Sequence, residues 1–102
     1  MSEADRRVHR RVRLLVSGRV QGVWFRGAMQ QQAATLGLGG WVRNLRDGRV
    51  EALIVGPVKE VEALVEWAGV GPSGARVDRV ERFDDAGASA DDEATTAFEI
   101  VR

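Results

Sequence analysis

The chain has 102 residues, a length that predicts one domain able to bury its own core without metal or disulfide support. Its 15 basic residues balance 15 acidic ones, which argues against nucleic acid as the main partner. The sequence has no cysteine, which excludes disulfides, a thiolate nucleophile and Cys-based metal sites. No apolar run approaches the ~18 residues of a membrane span, and the charged N-terminus lacks a signal-peptide stretch. We therefore expect a cytoplasmic protein with no membrane partner.

The N-terminal composition sets the start of the predicted domain. Residues 1–7 are polar and predict a flexible tail, which leaves 8–102 as a single domain. Basic residues crowd this junction: Arg6, Arg7, His9, Arg10, Arg11 and Arg13. Such a cluster can be a nucleic-acid arm, but the balanced total charge favours a solvated tail that runs into an exposed strand.

The first predicted elements are a strand and an amphipathic helix. Alternating apolar residues over 8–17 predict the strand. After a glycine-framed loop, apolar residues recur with helical spacing and predict a helix with the buried stripe Phe25, Ala28, Met29, Ala33 and Leu36. Gly37 predicts where this helix ends.

A β-hairpin is predicted next. Two β-compatible runs, residues 41–46 and 49–55, are joined by Asp47-Gly48, which is the strongest short-range hairpin signal in a sequence. A two-residue turn at this position places Asn44 opposite Glu51.

The second half of the chain predicts a helix followed by two strands. Pro57 suits the first turn of the helix, whose apolar stripe is Val58, Val61, Leu64, Val65 and Ala68. Residues 76–83 predict a strand in which broken alternation at Val77 and Val80 indicates a bulge or an irregular start. Small and acidic residues at about 84–96 predict a mobile loop, and 97–102 predict a short last strand.

The element order predicts an α+β fold. Strand, helix, strand, strand, helix, strand and a short C-terminal strand form the ferredoxin-like, split βαβ plan, an antiparallel sheet with two helices on one face. RNA-recognition domains share this topology, but they need stacking aromatic residues on the two central strands. Residues 12–16 and 49–55 carry none, which excludes that function. The plan hosts many functions, so the site must decide among them.

The candidate site is the loop between the first strand and the first helix. Its sequence is Gly18-Arg19-Val20-Gln21-Gly22-Val23-Trp24-Phe25-Arg26. Glycines let a backbone approach an anion closely, and the free N–H groups of a helix N-terminus point at it. Arg26 would offer a planar fork to a phosphate. Loop chemistry alone leaves open a plain turn with a solvated arginine, since the pattern is neither a P-loop nor a dinucleotide fingerprint.

Two motifs resemble those of the acylphosphatase family. Residues 18–26 fit the signature Gly-x-Val-Gln-Gly-Val-x-Phe/Tyr-Arg at every fixed position. Residues 40–44, Gly-Trp-Val-Arg-Asn, open a second signature that continues through Gly-Arg-Val at 48–50 and Gly56. The similarity runs to about Val80. The arginine-rich N-terminal extension and the acidic insertion depart from it.

The resemblance implies hydrolysis of the carboxyl-phosphate bond of a small-molecule acylphosphate to carboxylate and inorganic phosphate, with no metal or other cofactor. By motif position, Arg26 binds the substrate phosphate and Asn44 holds the attacking water. The implied phosphate-binding loop consists of Gln21, Gly22, Val23, Trp24, Phe25 and Arg26. A mixed anhydride already has a good leaving group, so charge neutralisation and positioning suffice. We expect a monomer.

A non-catalytic module of the same fold is the alternative function. It would hold phosphate or a carbamoyl-phosphate-like ligand without useful turnover. Acylphosphatase-like domains also occur inside larger maturation enzymes. The 102 residues contain no zinc-finger cysteines and predict no second domain, which favours the enzyme.

Overall fold

The computed structural model describes residues 9–85 and 97–102. The predicted tail at 1–7 and residues 86–96 of the predicted acidic loop therefore lie outside the described residues. The elements in chain order are β1 His9–Arg19, α1 Phe25–Leu36, β2 Gly39–Asn44, β3 Val50–Pro57, α2 Val58–Ala68, β4 Arg76–Asp85 and β5 Phe98–Ile100. Neither helix in these two ranges is long and apolar enough to cross a membrane.

The five strands form one sheet in the order β4-β1-β3-β2-β5. The β4–β1, β1–β3 and β3–β2 pairs are antiparallel, whereas β2 and β5 are parallel. The predicted α+β ferredoxin-like fold is confirmed, with the correction that the sheet is mixed rather than wholly antiparallel. A tight turn between consecutive strands would force them to pair antiparallel. The strand that precedes β5 in the chain is β4, which lies at the opposite edge of the sheet, so β5 is free to pair in parallel with β2.

The core lies between the helices and one face of the sheet. Successive strand residues point to opposite faces, so one alternate set from each strand meets the helices. The set is fully buried and consists of Val12, Leu14, Val16, Val42, Val50, Ala52 and Ile54. The helices contribute the buried residues Phe25, Ala28, Met29, Ala33, Val61, Leu64 and Ala68. The predicted stripes are confirmed, with Leu36, Val58 and Val65 half-buried at their margins.

The hairpin forms where it was predicted, but its register is shifted by one residue. Asn44 pairs with Val50 rather than lying opposite Glu51, which pairs with Arg43. The Leu45 N–H donates to the Arg49 carbonyl at 2.8 Å, so residues 46–48 form a three-residue loop. Such a loop needs a left-handed residue at its third position, and Gly48 supplies it with φ 98°.

The predicted bulge in β4 is confirmed. Ser17 pairs with Arg79 and Gly18 with Val77, so one extra residue of β4 lies between these pairs. The strand continues to Asp85, two residues into the segment predicted as a mobile loop. Long pairing with β1 explains this extension, because Val12 pairs with Asp84.

The face of the sheet away from the helices carries a row of paired charges. Glu51 is only 7% exposed and accepts hydrogen bonds from Arg13 at 2.8 Å and Arg43 at 2.7 Å. The guanidinium of Arg13 lies 4.6 Å from the ring centroid of Phe83, and that of Arg43 lies 5.2 Å from the centroid of Trp41. We call these five residues the Glu51 network.

Candidate active site

The loop between β1 and α1 presents free backbone donors. The first helical hydrogen bond of α1 runs from the Ala28 N–H to the Trp24 carbonyl at 3.0 Å. In the described part of the chain, no turn or loop hydrogen bond uses the N–H groups of residues 21–26. These donors stand at the positive end of the helix dipole, so the loop is suited to bind an anion.

A cleft of about 280 Å³ opens beside this loop. It is lined by Val20, Gly22, Trp24, Phe25, Arg26, Gly27, Asn44 and Ile100. The two residues predicted to be catalytic, Arg26 and Asn44, thus come from the start of α1 and the end of β2 and face one cavity. Val20, Gly27 and Ile100 also line it and were not singled out from the sequence.

Arg26 is half-buried and forms no hydrogen bond or ion pair with any described residue. Other half-buried arginines in the described ranges are paired: Arg10 with Asp84, Arg13 and Arg43 with Glu51, and Arg49 with Asp47. A guanidinium is always charged and carries five donors in a fixed fork. The fork of Arg26 is therefore available to an anionic ligand.

Asn44 offers an unused acceptor to the same cleft. It lies on the helix side of β2, two residues after the buried Val42. Its Oδ1 atom is buried and has no hydrogen-bond partner among the described residues. A buried acceptor without a partner costs about 1–3 kcal/mol, so a donor from a ligand or a water molecule is the natural complement.

The side chain of Gln21 does not line the cleft, so only its backbone N–H is available for the predicted phosphate-binding role. Its Nε2 donates to the carbonyls of Leu45 at 2.7 Å and Arg49 at 2.9 Å. These hydrogen bonds fasten the loop between β1 and α1 to the turn that follows Asn44. The side chain of Val23 packs against the core instead. Of the six predicted loop residues, the other four line the cleft.

The hairpin turn is itself braced by a local ion pair. The Asp47 carboxylate accepts from the Arg49 backbone N–H at 3.1 Å and from its Nε at 2.9 Å. The side-chain hydrogen bond from Arg49 is the main cause that lowers the pKa of Asp47 below its ordinary value. These contacts link the two ends of the turn to which the Gln21 side chain is hydrogen-bonded.

Within residues 9–85 and 97–102, no group of three or more His, Cys, Asp or Glu side chains is placed to hold a metal ion. The fold and the cleft together define a ferredoxin-like protein in which Arg26 and the buried Oδ1 of Asn44 lie beside the N-terminus of a helix.

Comparison with known proteins gives the family. The acylphosphatase family model matches residues 12–100. An acylphosphatase of Nitrosococcus oceani is 58% identical over 66 residues, covering 65% of this chain and 74% of its own. One from Halorhodospira halophila is 49% identical over 90 residues, covering 88% and 92%. The crystal structure of acylphosphatase from Bacillus subtilis superimposes with a TM-score of 0.83 at 35% identity, covering 91% of this chain and 99% of that one. The chain belongs to the acylphosphatase family.

Family membership confirms the resemblance found in the two motifs. It also confirms the predicted activity, hydrolysis of acylphosphates, at the level of the family. The alternative of a non-catalytic module is not favoured, because the relatives named acylphosphatase match over most of the chain.

Proposed function

We propose that the chain hydrolyses acylphosphates by holding the phosphoryl group on the loop amides of residues 21–26 and on Arg26, while Asn44 positions the attacking water. The observation that carries this proposal is a pair of polar groups in one cleft, the guanidinium of Arg26 and the buried Oδ1 of Asn44, neither of which has a partner among the described residues.

The loop and Arg26 act on the charge of the phosphoryl group. Its oxygens carry two negative charges in the substrate and redistribute them as the bond to the acyl oxygen breaks. Donors that are already oriented before the reaction stabilise this charge without further reorganisation. The backbone hydrogen bond at the start of α1 and the two hydrogen bonds from Gln21 supply that orientation.

Asn44 acts on the nucleophile. Its Oδ1 accepts a hydrogen bond from water, and its Nδ2 has two donors that can reach a phosphate oxygen. A water held in line with the breaking bond converts a bimolecular encounter into an oriented attack.

The reaction balances without an added acid or base. A new bond forms between the water oxygen and phosphorus, and the bond from phosphorus to the acyl oxygen breaks. The carboxylate leaves with the electron pair of that bond. Both protons of the water remain on the phosphate group, which takes them on its own oxygens and leaves as H₂PO₄⁻.

We further propose that the protein works as a cytoplasmic monomer that needs no metal or other cofactor. In support of metal independence, the carboxylate leaving group requires no Lewis acid. A light-scattering mass of one chain in the active fraction supports the monomer, and a mass of two chains contradicts it.

Hydrolysis of benzoyl phosphate in ¹⁸O-water tests the mechanism. Attack on phosphorus puts the label in inorganic phosphate. Mass spectrometry measures the label in both products, and a reaction without protein gives the background to subtract. Label in benzoate would mean attack on the carbonyl carbon and would contradict the proposal. We expect the same rate with EDTA present, and loss of activity that returns with magnesium would refute metal independence.

A further inference from the structure

Part of the cleft lining is apolar and is not used by the proposed chemistry. Trp24 and Ile100 both line the cleft, and their side chains are 62% and 41% exposed. They are two of the four large hydrophobic side chains exposed in the described residues. The cleft thus combines exposed apolar surface with the guanidinium of Arg26.

Trp24 has a backbone conformation that tryptophan rarely adopts. It is the only non-glycine residue with positive φ in the described ranges, at φ 64° and ψ 28°. A bulky residue in this conformation costs free energy, and such strain is concentrated at functional sites. Because the exposed indole recovers little of that cost by burial, the strain points to a role for the ring.

The adjacent glycine fixes where the indole lies. A Cβ atom built on Gly27 would lie 2.3 Å from Nε1 and 2.5 Å from Cε2 of Trp24. The ring therefore lies directly against the backbone of the first turn of α1, and a side chain at position 27 would have to displace it. The absence of a side chain at Gly27 lets the indole lie against the helix beside the cleft.

Ile100 is held from another direction. It belongs to β5, whose pairing with β2 places it in register with Val42. The Gln30 side chain of α1 donates to the Phe98 carbonyl at 3.0 Å and fastens β5 to the helix. Ile100 thus lies on a paired strand, and Trp24 lies directly before the first residue of α1.

We propose that Trp24 and Ile100 form an acyl-binding subsite that selects acylphosphates with flat, apolar acyl groups, aromatic ones above all. This inference rests on the proposed function, which fixes the phosphoryl group at Arg26 and directs the acyl group outward. Stacking of an aromatic acyl group on the indole face supplies the selectivity. Arg26 and the loop amides contact the phosphoryl group, which every acylphosphate has, and therefore do not discriminate among acyl groups.

Binding of two unreactive analogues tests the subsite independently of turnover. Phenacylphosphonate and acetonylphosphonate replace the bridging oxygen of benzoyl and acetyl phosphate with carbon, and calorimetry gives their Kd values. We expect phenacylphosphonate to bind about 10-fold more tightly, the scale of one good aromatic contact. The substitution Trp24→Asn should remove most of this preference, and asparagine adopts positive φ more readily than most residues. The substitution Trp24→Phe keeps an aromatic ring and should keep most of the preference.

Two further variants control the comparison. Ile100→Ala should reduce the preference less than Trp24→Asn, and Val70→Ala, at an apolar residue 71% exposed outside the cleft, should leave it unchanged. The Kd of inorganic phosphate for each variant corrects for any change in the loop. A preference that survives Trp24→Asn, or that falls equally in Val70→Ala, overturns the subsite. If the preference behaves as expected while benzoyl phosphate is not hydrolysed, the subsite stands and the proposed mechanism fails.

Discussion

Two arginine-containing regions on opposite faces of the sheet differ in whether their polar groups have protein partners. In the Glu51 network, Arg13 and Arg43 share one nearly buried carboxylate and each lies over an aromatic ring. In the cleft, Arg26 has no partner among the described residues and Asn44 has a buried acceptor left unused. The number of arginines alone therefore says little about function, whereas polar groups without protein partners mark a candidate ligand site.

The largest effect should come from Arg26→Ala. We expect kcat/KM for benzoyl phosphate to fall by more than about 10²–10³-fold, because a charged bidentate donor exceeds a single neutral one. Inorganic phosphate should also lose its competitive inhibition. Arg26→Lys should be intermediate, since it keeps the charge and loses the planar fork.

Arg13→Ala is the matched control for that experiment. It removes an arginine of similar burial from the Glu51 network and should leave kcat/KM of the folded protein unchanged. Equal losses of activity in Arg13→Ala and Arg26→Ala would remove the distinction between the two regions.

Asn44→Ala should have the next largest effect on activity and little effect on stability. We expect kcat to fall by about 10²-fold through loss of the positioned water, while the inhibition constant of inorganic phosphate stays close to its original value. Urea denaturation should show no loss of unfolding free energy, because the Oδ1 that is removed has no protein partner. A large drop in the urea midpoint would instead make Asn44 a structural residue.

Glu51→Gln should lower stability and leave activity unchanged, the reverse of the effects expected for Asn44→Ala. We expect the free energy of unfolding to fall by about 1–3 kcal/mol, as two charged hydrogen bonds weaken. The side chains of Arg13 and Arg43 are 40% and 41% exposed, so solvent keeps the loss below the value for a fully buried pair. Activity of the folded protein should be unchanged. A fall in kcat without a fall in stability would contradict this expectation. It would mean that the Glu51 network positions Asn44, which follows Arg43 on the same strand.

Local rules in the sequence accounted for most of the fold. Gly37 ends α1 as predicted, with its N–H donating to the Ala34 carbonyl at 3.2 Å. Asp47-Gly48 placed the hairpin but not its register, because the same pair of residues fits a two-residue turn and the last two positions of a three-residue loop. The parallel pairing of β5 depends on contacts between distant parts of the chain, such as that of Gly40 with Phe98, which no local pattern encodes.

The motifs identified Arg26 and Asn44 as candidates, and the placement of both in one cleft agrees with that prediction. Three features of the site were not visible in the sequence. The strained backbone of Trp24 was not expected, since glycines are the usual residues for that conformation. Ile100 reaches the cleft only through the pairing of β5, and the contacts of Gln21 depend on the fold of a hairpin 24 and 28 residues further along the chain.

The hydrogen bonds from the Gln21 side chain to the hairpin have a consequence for heat tolerance. Both of its acceptors, the carbonyls of Leu45 and Arg49, belong to the base of one small turn, so fraying of that turn frees the loop as well. Segments open locally at lower free energy than the whole molecule, and surface turns open before central strands such as β1 and β3. We therefore expect inactivation on warming to begin at this turn while the sheet is still intact, and a substitution that stiffens the turn to raise the temperature of half-inactivation.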